Sequence, residues 1–154
     1  MKPCTFDESL MLAEIACAQH VHKTTGMTVC VGTNDDGRTD CAVFDIGYLQ
    51  TGEHATFKAS AYHFRAKLDI YRRARRDVQL AIMQLLKTFP INADVNAMDD
   101  LRENSNVINF RLSPQTQGVS EITTVDVQQK KDQRTIRCFT ATALFDVVFR
   151  ARFD

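Results

Sequence analysis

The sequence predicts an α+β fold with a largely antiparallel sheet and two main helices, in the order α-β-β-β-α-β-β-β. Three observations predict it. From Tyr62 the chain alternates, with Tyr62, Phe64, Ala66, Leu68 and Ile70 on one side and His63, Arg65, Lys67, Asp69 and Tyr71 on the other. Successive strand side chains point to opposite faces, so this stretch is a strand with one dry face. The period then turns helical: Val78, Ala81, Ile82, Leu85 and Phe89 share a stripe that Pro90 ends. The last run, Ile136 to Phe153, alternates again, with Phe139, Ala141, Ala143, Phe145, Val147, Phe149 and Phe153 in an apolar row. A chain of 154 residues with no repeat, low-complexity tract or linker is expected to be one domain, residues 1–154.

Taken in order, Thr5-Phe6-Asp7-Glu8 reads as a capping box, with Thr5 as N-cap and Glu8 reaching back to its amide. The helix it opens runs to about Lys23, with Met11, Leu12, Ile15 and Ala18 as its apolar side and Gly26 just past its end. Met27 to Val31 and Cys41 to Ile46 are two strands, expected as an antiparallel hairpin with Asp36-Gly37 at its tip. Gly47 to His54 breaks the pattern, as a second hairpin loop or a projecting arm. The long strand from Thr56 and the second helix to Phe89 follow. Residues 91–106 are rich in Asn and Asp and read as a loop with a short helical turn near Met98–Arg102. Val107 to Leu112 is a strand with Ile108, Phe110 and Leu112 inward, Val119 to Gln128 another, and Gln129–Gln133 a turn before the final strand.

Strand length bears on assembly. Thr56–Arg72 would span roughly 55 Å at about 3.3 Å per residue, while a domain of this size is only about 40 Å across. Either bends near Ala59–Ser60 and Arg137 break the long strands, or their ends pass beyond the subunit and meet a neighbour.

Composition narrows the function classes. The 19 basic and 19 acidic side chains cancel, which argues against nucleic-acid binding as the main task. No apolar run approaches the roughly 20 residues a membrane span needs. Met1-Lys2-Pro3-Cys4 lacks the apolar region of a secretory signal, so synthesis and folding in the cytoplasm are expected. The cysteines Cys4, Cys17, Cys30, Cys41 and Cys138 show no zinc-ligand spacing and read as buried small hydrophobes. One pair stands out: Cys30 and Cys41 flank the expected hairpin turn, where an antiparallel register could bring them into disulfide range.

Chemistry is not announced anywhere. The histidines 20, 22, 54 and 63 form no nucleophile or metal motif, and no Gly-rich phosphate loop occurs. The expectation is therefore no enzyme and no cofactor. Arg72, Arg73, Arg75 and Arg76 are the most informative charges. At a helix start they oppose the macrodipole, an effect that Asp77 partly offsets. They read as a solvated basic turn, or as a contact with an adjoining subunit or with DNA passing through a lumen.

The element order, with the strand SAYHFRAKLDIY, the helix RRDVQLAIMQLLKTFP and the closing strand TATALFDVVFRARF, resembles the tail terminator, or tail-completion, family of long-tailed bacteriophages. The likeness covers nearly the whole chain and rests on order and texture. It implies a structural virion protein at the tail–neck junction that caps the tail tube as a homohexameric ring and ends tube polymerisation. Implied partners are other copies of the chain, the tail tube protein, a neck or connector protein and the sheath. It implies no catalytic residues, no cofactor and no membrane partner. A related neck component is the first alternative, and a small cytosolic α+β enzyme or ligand-binding dimer is the second.

Overall fold

The computed structural model describes residues 6–34, 36–49, 61–89, 99–113 and 119–150. The Thr5 cap, the loop beyond residue 49, the bend at Ala59–Ser60 and the ends of the chain lie outside these residues. Among the described residues the elements are α1 (Phe6–Thr25), β1 (Val29–Val31), β2 (Ala42–Leu49), β3 (Ala61–Arg72), α2 (Arg75–Thr88), α3 (Asp99–Asn104), β4 (Val107–Leu112), β5 (Thr123–Gln128) and β6 (Thr135–Arg150). The chain is α+β, and its described residues form a mixed, largely antiparallel sheet of six strands, the class that the periodicities predict.

β6 is the spine of the sheet. One edge pairs with all of β3, from Ala61↔Arg150 to Arg72↔Phe139. Its other edge is shared end to end, by β4 along Leu112↔Phe145 to Val107↔Phe149 and by β5 along Gln128↔Thr135 to Thr123↔Thr140. This arrangement accommodates a strand of 16 residues without the kink near Arg137 that one of the two readings of its length required, because the β5 register runs unbroken through Asp126↔Arg137. Residues 135–138 extend past the end of β3 and form a two-stranded ribbon with β5.

Three expectations are corrected. β1 and β2 are parallel, with Val29↔Ala42 and Val31↔Phe44, so no hairpin forms. Asn34 organises the turn: its Nδ2 donates to the Arg38 carbonyl (2.9 Å), its Oδ1 accepts from the Arg38 amide (2.9 Å), and its carbonyl accepts from the Gly37 amide (3.1 Å). The loop then runs back to the other end of β1, where the Ala42 amide donates to Thr28 O (2.8 Å). Gly37 (φ 65°) is buried against the ribbon, and a Cβ there would sit 2.1 Å from Gln128 O. Only a residue without a side chain fits so close to the β5 end.

The second correction concerns α1. Met11, Leu12 and Ile15 are exposed, and the core stripe is Ser9, Ala13, Cys17 and Val21, with Ala18 also buried. The sheet beneath α1 already carries Phe44 and Phe110, and small side chains let the helix sit on them. The third is the inward set of β4, which is Val107, Phe110 and Leu112, because a bulge between Val107 and Asn109 shifts Ile108 out of phase. β5 is also shorter than expected: Val119 makes only an isolated bridge to Ala143.

Both helices pack on one face of the sheet, and the core between them is aromatic. Phe110 and Phe145 lie 4.5 Å apart by ring centroid, and Phe89 meets Phe145 edge-on at 5.4 Å. His20 of α1 closes this cluster edge-on against Phe89 (5.9 Å). The opposite face is polar: Thr142 Oγ1 donates to Asp69 Oδ1 (2.5 Å), and Asp146 lies 3.9–4.0 Å from Arg65, His63 and Arg111.

Candidate functional site

The structure divides the basic cluster in two. Arg72 ends β3 and Arg73 follows it, while Arg75 and Arg76 are the first two residues of α2. Arg72 Nη1 donates to the carbonyls of Cys41 (3.0 Å) and Tyr71 (2.7 Å). Arg73 Nε donates to Thr39 Oγ1 (3.0 Å), and Thr39 is itself buried. Both guanidinium groups are thus held by neutral acceptors, which fix position without cancelling charge. Arg75 and Arg76 are exposed and form no ion pair with another described residue.

Arg72 and Arg73 line an open cleft of about 1070 Å³ at the end of the sheet, walled by the 36–40 loop, the start of α2 and the β5–β6 turn. Lys130, Lys131 and Asp132 come from that turn, and Arg38 and Asp40 from the facing loop. The ribbon of β5 and β6 is what carries the lysines to the arginines, 57 residues away in sequence. Sequence reading singled out the arginines and missed the lysines. The turn itself was legible, but its place beside Arg73 depends on the unbroken register of β6.

Cys30 and Cys41 do not lie opposite each other on paired strands, since Cys30 partners Val43 in the parallel register. Their thiols are nevertheless neighbours, and both are free. Burial pushes the Cys41 thiol up to about 12, and the charge and hydrogen bond of Cys30 add to it. Burial also raises Cys138, against the opposing pull of Arg73. Such thiols are poor nucleophiles near neutral pH.

Among the described residues no group of three or more His, Cys, Asp or Glu could hold a metal ion, and no helix is long and apolar enough to cross a membrane. His22 Nδ1 is bonded to the Met27 carbonyl (2.6 Å) and closes the end of α1. A smaller hollow of about 260 Å³ lies between α1 and α3, around His20, Lys23 and Asp100. Lys23 and Asp100 pair across its mouth at 2.8 Å, both well exposed, so the bridge adds little.

The other feature the fold creates is apolar. Met11, Leu12 and Ile15 on α1 and Leu80, Met83 and Leu86 on α2 are all exposed, Met83 by 65% and Met11 by 55%. These residues recur at helical spacing on the sides turned away from the sheet. The chain matches no family model and no curated protein sequence.

Proposed function

We propose that this chain is a structural virion protein that closes into a ring, caps a phage tail tube, ends its polymerisation and joins tail to neck. The observation that carries the reading is the pair of exposed apolar rows on α1 and α2. Single exposed apolar residues are ordinary, but rows of three on two adjacent helices suit a contact with another subunit. The resemblance in element order supports the same reading, and the α+β order it implies holds across the described residues. In such a ring each copy meets its neighbour through two different surfaces, and closure by rotation ends growth. Arg75 and Arg76, exposed at the start of α2, are the basic residues best placed for a subunit or lumen contact.

Native mass measurement tests this reading. Rings of about six copies are expected, and Ile15→Lys with Met83→Lys should release folded monomers. A wild-type chain that stays monomeric at high concentration overturns it. Added to polymerising tube protein, the ring should arrest tube length; rings without arrest would move the assignment to another neck component.

A further inference from the structure

The cleft at the end of the sheet shares no residue with the apolar rows and asks for a different partner. Its lining carries five cations, Arg38, Arg72, Arg73, Lys130 and Lys131, among four carboxylates. Arg38 and Asp40 answer each other at 3.4 Å. Asp77 stands in the first turn of α2, where the helix dipole already favours a negative charge. Among the described residues, Arg72 and Arg73 donate to carbonyls and a hydroxyl, and neither they nor Lys130 and Lys131 form an ion pair. Because Thr39 engages Arg73 through Nε, the two terminal nitrogens of that fork are left for a ligand.

A planar guanidinium fork recognises two oxygens of one phosphate, and lysines supply point charges to a second. Long polyanions would run past the exposed carboxylates Asp36 and Asp132, whereas a compact anion can sit between the cations. The volume, just above the roughly 300–1,000 Å³ usual for small-ligand sites, leaves room for a small ligand. We infer that this cleft binds a compact phosphorylated ligand, its diphosphate group held by Arg73 on one side and Lys130 and Lys131 on the other.

Calorimetric titration of the full chain with sodium pyrophosphate, at ionic strength fixed with sodium chloride, tests the inference. Saturable binding of one pyrophosphate per chain is expected. Arg73→Gln should weaken it about tenfold, as should Lys130→Gln combined with Lys131→Gln. The lysine variant alters only an exposed turn, so it leaves the fold intact. Lys87→Gln, at the far end of α2, should leave binding unchanged. Absence of saturation, or equal weakening by Lys87→Gln, overturns the site. A short DNA duplex titrated in the same way separates the phosphate sources. Duplex binding that depends on Arg73 would assign the cleft to phosphodiesters and overturn the compact ligand, and no duplex binding supports it. A monomeric chain that binds pyrophosphate would sink the ring and leave the cleft standing.

Discussion

α1 and α2 lie on the same face of one sheet, but among the described side chains α1 buries nothing larger than valine, while α2 buries a leucine. α1 buries Ser9, Ala13, Cys17 and Val21, whereas α2 buries Val78, Ala81 and Leu85. α1 packs on β1, β2, β4 and β6 and α2 on β3 and β6, and the buried residues of those strands mix Ala66 and Ala143 with Phe44, Phe64, Leu68, Phe110 and Phe145. Interiors keep a nearly constant packing density, so the small residues of α1 let it sit close on the phenylalanines beneath it, while Leu85 of α2 reaches further into the core. Their outer sides are alike, since each carries three large apolar residues to the surface.

The sharpest way to break this comparison is to reverse the volumes. Leu85 is fully buried, and Leu85→Ala should cost about 3 kcal/mol through the cavity it leaves. Ala13 is equally buried, yet truncation has nothing to remove there; Ala13→Leu should instead cost about 2 kcal/mol by overpacking against the aromatic cluster. Urea unfolding midpoints measure both. An Ala13→Leu protein as stable as the wild type would mean that α1 can ride higher on the sheet than its small residues imply.

The same contrast explains what could be read from the chain and what could not. Strand β3 was legible because its inward and outward residues differ in kind, Phe64 to Ile70 against His63 to Tyr71. The stripe of α2 was legible for the same reason. On α1 the more hydrophobic stripe is the outer one, so amphipathicity alone points the wrong way, and only the sheet's phenylalanines decide the matter. The parallel pairing of β1 and β2 was hidden because Asn34 and Gly37 make a turn that looks like a hairpin tip, while the loop after it lies against the distant Gln128 backbone. Half of the cleft could be named from Arg72 and Arg73. The other half arrives through the pairing of β5 with β6, a long-range register that no local pattern states.

A smaller effect separates the two helix ends. α1 stops at Gly26 in the left-handed region (φ 76°), its amide donating to His22 O (2.8 Å). α2 stops at Phe89, whose φ of −121° needs no glycine and whose amide donates to Leu85 O. A Cβ at Gly26 would meet nothing within 4 Å, so Gly26→Ala should cost about 1 kcal/mol from backbone conformation alone. Thermal unfolding checks this. A loss comparable to Leu85→Ala would show that Gly26 has a packing role its open surroundings do not suggest.

The weakest effect lies in how α1 responds to pH. Burial lifts the Glu14 carboxyl above its ordinary value of 4.5, Asp45 pushes the same way, and the hydrogen bond from the Ile46 amide opposes both. The folded state therefore holds this proton more tightly than the unfolded chain, and stability should fall as pH rises from 4.5 toward the raised value. His20 works in the opposite sense. Burial among the phenylalanines lowers it from 6.5, so the unfolded chain binds the proton more tightly and stability should rise as pH approaches 6.5. Glu14→Gln keeps an acceptor for Ile46 and removes the titration. Melting temperatures measured from about pH 4 to about pH 7 should then lose the descending limb and keep the rising one. If the descent survives Glu14→Gln, a carboxylate other than Glu14 is responsible for it.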